Sequence, residues 1–335
     1  MNFPKEESQI CQSSQSLSRS ICEVVKKWLI AGRPWSLPAS IIPVVFGASL
    51  AATVGWVKLQ AGLLVLSLLA MVFLHLAANM LSDVVDWQRG LDREITAASG
   101  AIARGLLTLG QVFRGSIVFF IVGSALGLVL VYLRGKLVLY TGLIGISLGL
   151  AYPWLKERAL GDLAVFLDFG LLGSFGSWAV QTGQFSWLPV IWAVPQGMLI
   201  AAILHANNWR DILTDREKEI STVANNLGGR GSRRYYGLLL FGSMVLLAAF
   251  ILVPRLFGLD FPSLPLSVLI VILCWPQAWR LWKIAGSSTG PSLRQAAGLA
   301  DCLNLDGATA RYSLTFGLLT AGGLWLDYLI EFLKK

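Results

Sequence analysis

The chain has 335 residues, of which 55% are hydrophobic and only 14% charged, with a mean hydropathy of +0.66 and a formal net charge of +8. That balance excludes an ordinary soluble globular domain and points to a membrane protein. The four cysteines form no CxxC pair, so neither a disulfide framework nor a zinc site is implied.

In chain order, residues 1–27 are rich in Ser, Gln and Glu and lack an apolar core. They read as a disordered polar cytoplasmic tail rather than a signal peptide. Residues 28–335 read as a single transmembrane domain. A helix crosses the hydrocarbon layer with about 20 apolar residues, and one charge at its centre costs a few kcal/mol. Apolar runs free of interior charge are therefore candidate spans. They are Pro34–Val57, Leu59–Ser82, Gly115–Leu133, Leu137–Leu155, Phe169–Trp209, Tyr235–Pro254, Phe261–Trp279 and Tyr312–Leu326. The fifth is twice the needed length, and its middle, Gln181–Val190, carries Gly, Pro and polar residues, so it divides into two spans. The fold class is all-α, a multi-pass bundle of nine helices.

An odd count puts the termini on opposite sides. Lys and Arg summed over alternate loops give 21 on one side and 6 on the other. The positive-inside rule then makes the N-terminus cytoplasmic, with residues 83–114, 156–158, 210–234 and 280–311 on the same side of a cell (inner) membrane. The net charge is thereby explained by cytoplasmic loops facing lipid headgroups, and no nucleic-acid partner is needed.

Two spans end alike on that side, as HLAANMLSDVVDWQRGLD (75–92) and HANNWRDILTD (205–215). Both contain Asn-x-x-x-Asp. Asn79 and Asp83 are four apart, as are Asn207, Asp211 and Asp215, so each set lies on one helical face, with Asp86 near the first. Acids stacked at a helix C-terminus repel one another and the macrodipole, which is unfavourable without a cation. Oxygen-only donors suit Mg²⁺, which keeps waters and is completed by substrate phosphates. The bland alternative is solvated loop acids paired with Arg89, Arg93, Arg210 and Arg216. The pattern's occurrence twice, at one membrane depth, favours a metal site of Asn79, Asp83, Asp86, Asp211 and Asp215. A diphosphate leaving group also needs fixed cations, and Arg104, Lys156, Arg210 and Lys218 fall on the same side.

At these residues the chain resembles the UbiA superfamily of intramembrane aromatic prenyltransferases, and within it the MenA-like 1,4-dihydroxy-2-naphthoate prenyltransferases. The likeness runs from about Trp28 to the last span. It rests on RPWSLPASIIPVVFGASL, on NMLSDVVDWQRGLD with SGAIARGLLT, and most specifically on NNWRDILTDREKEISTVANNLG. The resemblance implies a nine-helix bundle with a central cavity capped on the cytoplasmic side. It implies Mg²⁺ ligands at Asn79, Asp83, Asp211 and Asp215, with Asp86 and Asp92 as further ligands. It also implies diphosphate contacts from Arg104, Lys156 and Arg210, and an aromatic-substrate pocket near Arg33, Tyr152, Asn207 and Asn208. The implied reaction transfers a polyprenyl group from an allylic polyprenyl diphosphate to an aromatic acid acceptor, with loss of CO₂ and no organic cofactor. The implied pathway is menaquinone biosynthesis, and 4-hydroxybenzoate is the alternative acceptor.

Other features are weighed beside this. Asp168 is an acid inside a span and so a functional suspect. His75 and His205 read as packing or hydrogen-bonding groups, and tryptophans near span ends read as interfacial anchors. The run DGATAR (306–311) partly imitates a CDP-alcohol phosphotransferase motif but fails on spacing and on its missing upstream acid. A transporter would carry its acids at the midplane rather than at helix ends.

Overall fold

The computed structural model describes residues 23–90, 100–286, 293 and 304–334. The expected tail through residue 22 and the candidate ligand Asp92 lie outside the described residues. The helices are α1 (23–32), α2 (Pro38–Thr53), α3 (Ala61–Gln88), α4 (Leu109–Arg134), α5 (Lys136–Lys156) and α6 (Gly161–Thr182). After one helical turn, Leu188–Trp192, come α7 (Val194–Arg210), α8 (Ile212–Glu217), α9 (Val223–Phe257), α10 (Leu266–Gly286) and α11 (Leu305–Leu333). Among the described residues eight helical segments are long and apolar enough to cross a membrane, and α7, at 17 residues, covers the second half of the overlong fifth run. The overlong fifth run divides where expected, with Gly183 at φ 71° closing α6 in the left-handed conformation that glycine tolerates.

The helices outrun their apolar stretches on the motif side. The second run stops at Ser82, yet α3 continues to Gln88 and carries the first acidic set within its last two turns.

The described residues form two compact units: Leu76–Phe119 with the chain up to Pro34, and Trp35–His75 with the chain from Phe120 onward. In the first, Ala31, Met80, Val84, Ala101, Ile102 and Val112 form the core. Ser116 Oγ donates to the Ala77 carbonyl at 2.9 Å, tying α4 to α3 there.

In the second unit, α2 is the most buried span (72%) and α5 the least (11%), so α2 is surrounded by protein while α5 presents Tyr140, Leu143 and Ile144 outward. An outward apolar face is stable only against lipid. The main core gathers Trp192, Trp209, Tyr236, Leu240, Tyr312 and Phe316 from α7, α9, α11 and the turn before α7. Small residues let these helices approach: a methyl on Gly47 would meet the Ser174 carbonyl oxygen at 2.0 Å, and one on Gly170 would meet Gly197 Cα at 2.6 Å.

Among the described residues three helices depart from regular winding, and in α9 the break is a kink at Gly228 (φ 64°, ψ −179°). Phe166–Leu172 within α6 is a π-helical segment, and Leu266–Cys274 of α10 winds as a 3₁₀ helix against α11. Ser267 Oγ there donates to the Gly323 carbonyl at 2.7 Å.

Candidate functional site

The first motif is built inside the first unit. Arg33 joins α1 to α2 with φ 52°, a left-handed conformation uncommon for a residue with a side chain. From there its guanidinium pairs with the Asp83 carboxylate. One turn earlier on α3, Asn79 Nδ2 donates to the Gly32 carbonyl at 2.9 Å. Asp83 and Asp86 are both buried, and Ser82 Oγ donates to Asp86 at 3.4 Å. Gly100 stands at this point, and a methyl on it would lie 1.6 Å from Asp83 Oδ2. Only glycine leaves room for the carboxylate. Arg104, one turn past Gly100, is half-buried.

The second motif belongs to the second unit. α7 ends at Arg210, Asp211 stands between helices at φ −97° and ψ 9°, and α8 starts at Ile212. The Asp211 N–H is shared between the Asn207 and Asn208 carbonyls, 3.2 Å each, while the Asp215 N–H still reaches the Asp211 carbonyl at 2.9 Å. The expected single helical face is thus interrupted at its middle acid. In an unbroken helix residues i and i+1 point about 100° apart. The break lets Arg210 grip its neighbour, with Nε donating to Asp211 Oδ1 at 3.3 Å and Nη2 to Oδ2 at 3.1 Å. Nη2 also donates to Asn207 Oδ1, and Nη1 to Asp306 Oδ2 at 2.9 Å.

Arg210, a candidate diphosphate contact, is 4% exposed, and its guanidinium donates to Asn207, Asp211 and Asp306. Asp215 is buried, and Lys218 is exposed just after α8. Asn208 turns the other way, donating to Asp162 Oδ1 at 3.5 Å, and His205 Nδ1 stands 3.2 Å from Asp162 Oδ2. Asn208 is therefore placed with Asp162 rather than with Asn207. Tyr152, near the end of α5, packs with Ala39, Val165 and Ile200, and Lys156 lies one turn on in the same helix.

Outside the motifs, His75 is held between Ser36 Oγ at 3.2 Å and Ser40 Oγ at 2.9 Å, as a structural hydrogen-bonding group would be. Asp168 sits in the π-helical segment, its carboxylate 3.1 Å from where a methyl on Gly145 would stand. Asp162 and Asp306 are the polar partners that sequence reasoning passed over. Their signal is that they are acids at span ends in a chain with few charges.

The donor chemistry fits Mg²⁺. The motif residues offer carboxylate and amide oxygens, and Gly100 leaves the room that the Asp83 carboxylate fills. Among the described residues, no three His, Cys, Asp or Glu side chains gather into a self-sufficient metal site.

Residues 40–296 match the UbiA prenyltransferase family. The UbiA prenyltransferase domain-containing protein 1 homolog of Drosophila melanogaster is 30% identical over 275 residues, covering 77% of this chain and 71% of its own length. That relative is of the domain-containing protein 1 type rather than MenA-like, so it carries the family and not the acceptor. Among solved structures, an apo UbiA homolog from Aeropyrum pernix K1 superposes with a TM-score of 0.60 at 18% identity, over 88% of this chain and 96% of its own. A UbiA homolog from Archaeoglobus fulgidus, bound to GPP and Mg²⁺, gives 0.59 at 15% identity over 88% and 99%. The helical architecture, the paired Asn/Asp helix ends and these likenesses lead to one assignment: the chain belongs to the UbiA prenyltransferase family and is an integral-membrane prenyltransferase.

Proposed function

We propose that this enzyme transfers a polyprenyl group from an allylic diphosphate to 1,4-dihydroxy-2-naphthoate, releasing diphosphate and CO₂, and depends on Mg²⁺. The observation that carries the reading is the duplicated Asn-x-x-x-Asp pattern, each copy with an arginine on its central acid: Arg33 on Asp83 and Arg210 on Asp211. The Mg²⁺ and prenyl diphosphate in the Archaeoglobus fulgidus homolog support the same chemistry here. The naphthoate acceptor rests on the likeness of the Asn-Asn-x-Arg-Asp run to MenA-like enzymes.

In this reading Asn79, Asp83 and Asp86 at the first motif and Asp211 and Asp215 at the second would hold Mg²⁺, and the cation would supply charge neutralisation to the departing diphosphate. Arg104, Lys156 and Lys218 add fixed positive charge for the same anion. The C–O bond of the donor breaks with its electron pair leaving on diphosphate. A ring carbon of the acceptor then forms the new C–C bond, and the pair from the departing carboxylate restores aromaticity as CO₂ leaves. The MenA-like resemblance assigns Arg33, Tyr152, Asn207 and Asn208 to the acceptor, and apolar helix faces would receive the prenyl chain.

The test is product analysis by mass spectrometry with purified protein, Mg²⁺, a panel of prenyl diphosphates and several aromatic acceptors. Prenylated naphthoquinol is expected, and its absence alongside a prenylated 4-hydroxybenzoate would reassign the acceptor. Asp83→Ala and Asp211→Ala should each lower turnover by about 100-fold or more while the protein stays folded in the membrane. Near-normal turnover in either would remove the metal role.

A further inference from the structure

Arg210 serves two carboxylates at once, and they stand on different helices. Its contact with Asp306 on α11 is the shorter, at 2.9 Å, while its two contacts with Asp211 are 3.1 and 3.3 Å. We propose that Asp306 is a positioning residue for the second motif: by sharing the Arg210 guanidinium, it fixes how Asn207 and Asp211 are presented to Mg²⁺. The inference rests on the metal reading above and deepens it.

One guanidinium forked onto Asp211 alone would neutralise that carboxylate and direct lone pairs of both its oxygens toward arginine. Such an aspartate is a poor ligand for a hard cation. With Asp306 on the opposite edge, two negative groups share one positive group, and Asp211 keeps net negative charge for metal. Geometry follows the same division. Nη1 goes to Asp306, Nη2 is divided between Asn207 and Asp211, and Nε goes to Asp211, so every guanidinium nitrogen has a stated task.

Asp306 is itself well fixed. It lies in the first turn of the 29-residue α11, where the helix dipole favours an anion, and its Oδ1 accepts the Gly307 N–H at 2.8 Å. Three residues on, Thr309 Oγ1 is 2.6 Å from the Tyr236 hydroxyl, which ties that end of α11 to α9. The carboxylate therefore holds Arg210 from an anchored helix end. Groups that orient metal ligands from behind typically change metal affinity by roughly 10- to 100-fold when altered. A purely structural partner of a buried arginine would change stability instead.

The experiment uses the full chain in detergent and measures Mn²⁺ binding by the loss of the free-ion EPR signal, without substrate. Thermal unfolding and the Mg²⁺ concentration for half-maximal turnover are measured in parallel. Asp306→Asn is expected to weaken Mn²⁺ binding and raise the Mg²⁺ requirement about tenfold, with the prenyl diphosphate KM at saturating Mg²⁺ within about twofold of wild type. Asp306→Glu keeps the charge but moves the guanidinium by one methylene, and should fall between wild type and Asp306→Asn. It also provides the readout if Asp306→Asn does not accumulate. Wild-type Mn²⁺ affinity in the folded variants overturns the inference, whatever their thermal stability. Asp211→Asn separates the two levels: if it binds Mn²⁺ like wild type, the metal reading itself fails. If it loses binding while the Asp306 variants do not, only the positioning role fails.

Discussion

Asp83 owes its position to neighbours that no periodic pattern connects with it. Arg33 lies 50 residues away and reaches it from a left-handed backbone conformation, and Gly100 leaves the space its carboxylate fills. Gly100→Ala should therefore push the carboxylate off Arg33 and lower turnover and Mn²⁺ affinity about tenfold or more, since moving a ligand's support has effects of that size. Gly110→Ala, where an added methyl meets nothing within 4 Å, should leave both unchanged. A like effect of the two substitutions on Mn²⁺ titration would show that the space beside Asp83 has no functional meaning. At this scale the sequence disclosed the ligand candidates, because Asn79–Asp83 and Asn207–Asp211–Asp215 repeat at helical spacing. It did not disclose what holds them. The Arg33 pairing, the Asp162 contacts of His205 and Asn208, and the Asp306–Arg210 bridge all join residues far apart in the chain, and spacing says nothing about those.

Among the elements, the α6–α7 crossing depends on a pair of glycines whose backbones nearly touch. Gly170→Val would force the helices apart or the side chain off its preferred rotamer, at about 1–3 kcal/mol. A lowered unfolding temperature in detergent is expected. An unfolding temperature equal to wild type would contradict the close packing. The spans themselves were legible, because an apolar run without charge has little choice in a membrane but to form a helix. Their ends were less so: α3 extends past its apolar run, since polar residues continue a helix once it has started, while the polar start of α9 is set off by the kink at Gly228. The interruption at Asp211 and the π-helical winding around Asp168 were not legible either. Both are adjustments of the backbone to its packing, and neither has a residue signature as plain as the Gly183 turn.

For the molecule as a whole, the nine-span count and the charge asymmetry are sums over many residues, which makes them robust to local misreading. The asymmetry of 21 to 6 predicts the orientation directly. In a variant without the four native cysteines, Lys58→Cys should react with a membrane-impermeant maleimide in intact cells, and Arg216→Cys only after permeabilisation. The reverse labelling would invert the topology. Two of the six basic residues on the sparse side have structural tasks, however. Arg134 donates from Nε and Nη2 to the Val180 and Gln181 carbonyls at the end of α6, and Arg255 donates to the Ile251 and Leu264 carbonyls. Each guanidinium screens main-chain oxygens that would otherwise face the lipid boundary without a donor. Both side chains are thereby committed to closing helix ends, so replacing either would expose a helix terminus as well as change the charge tally.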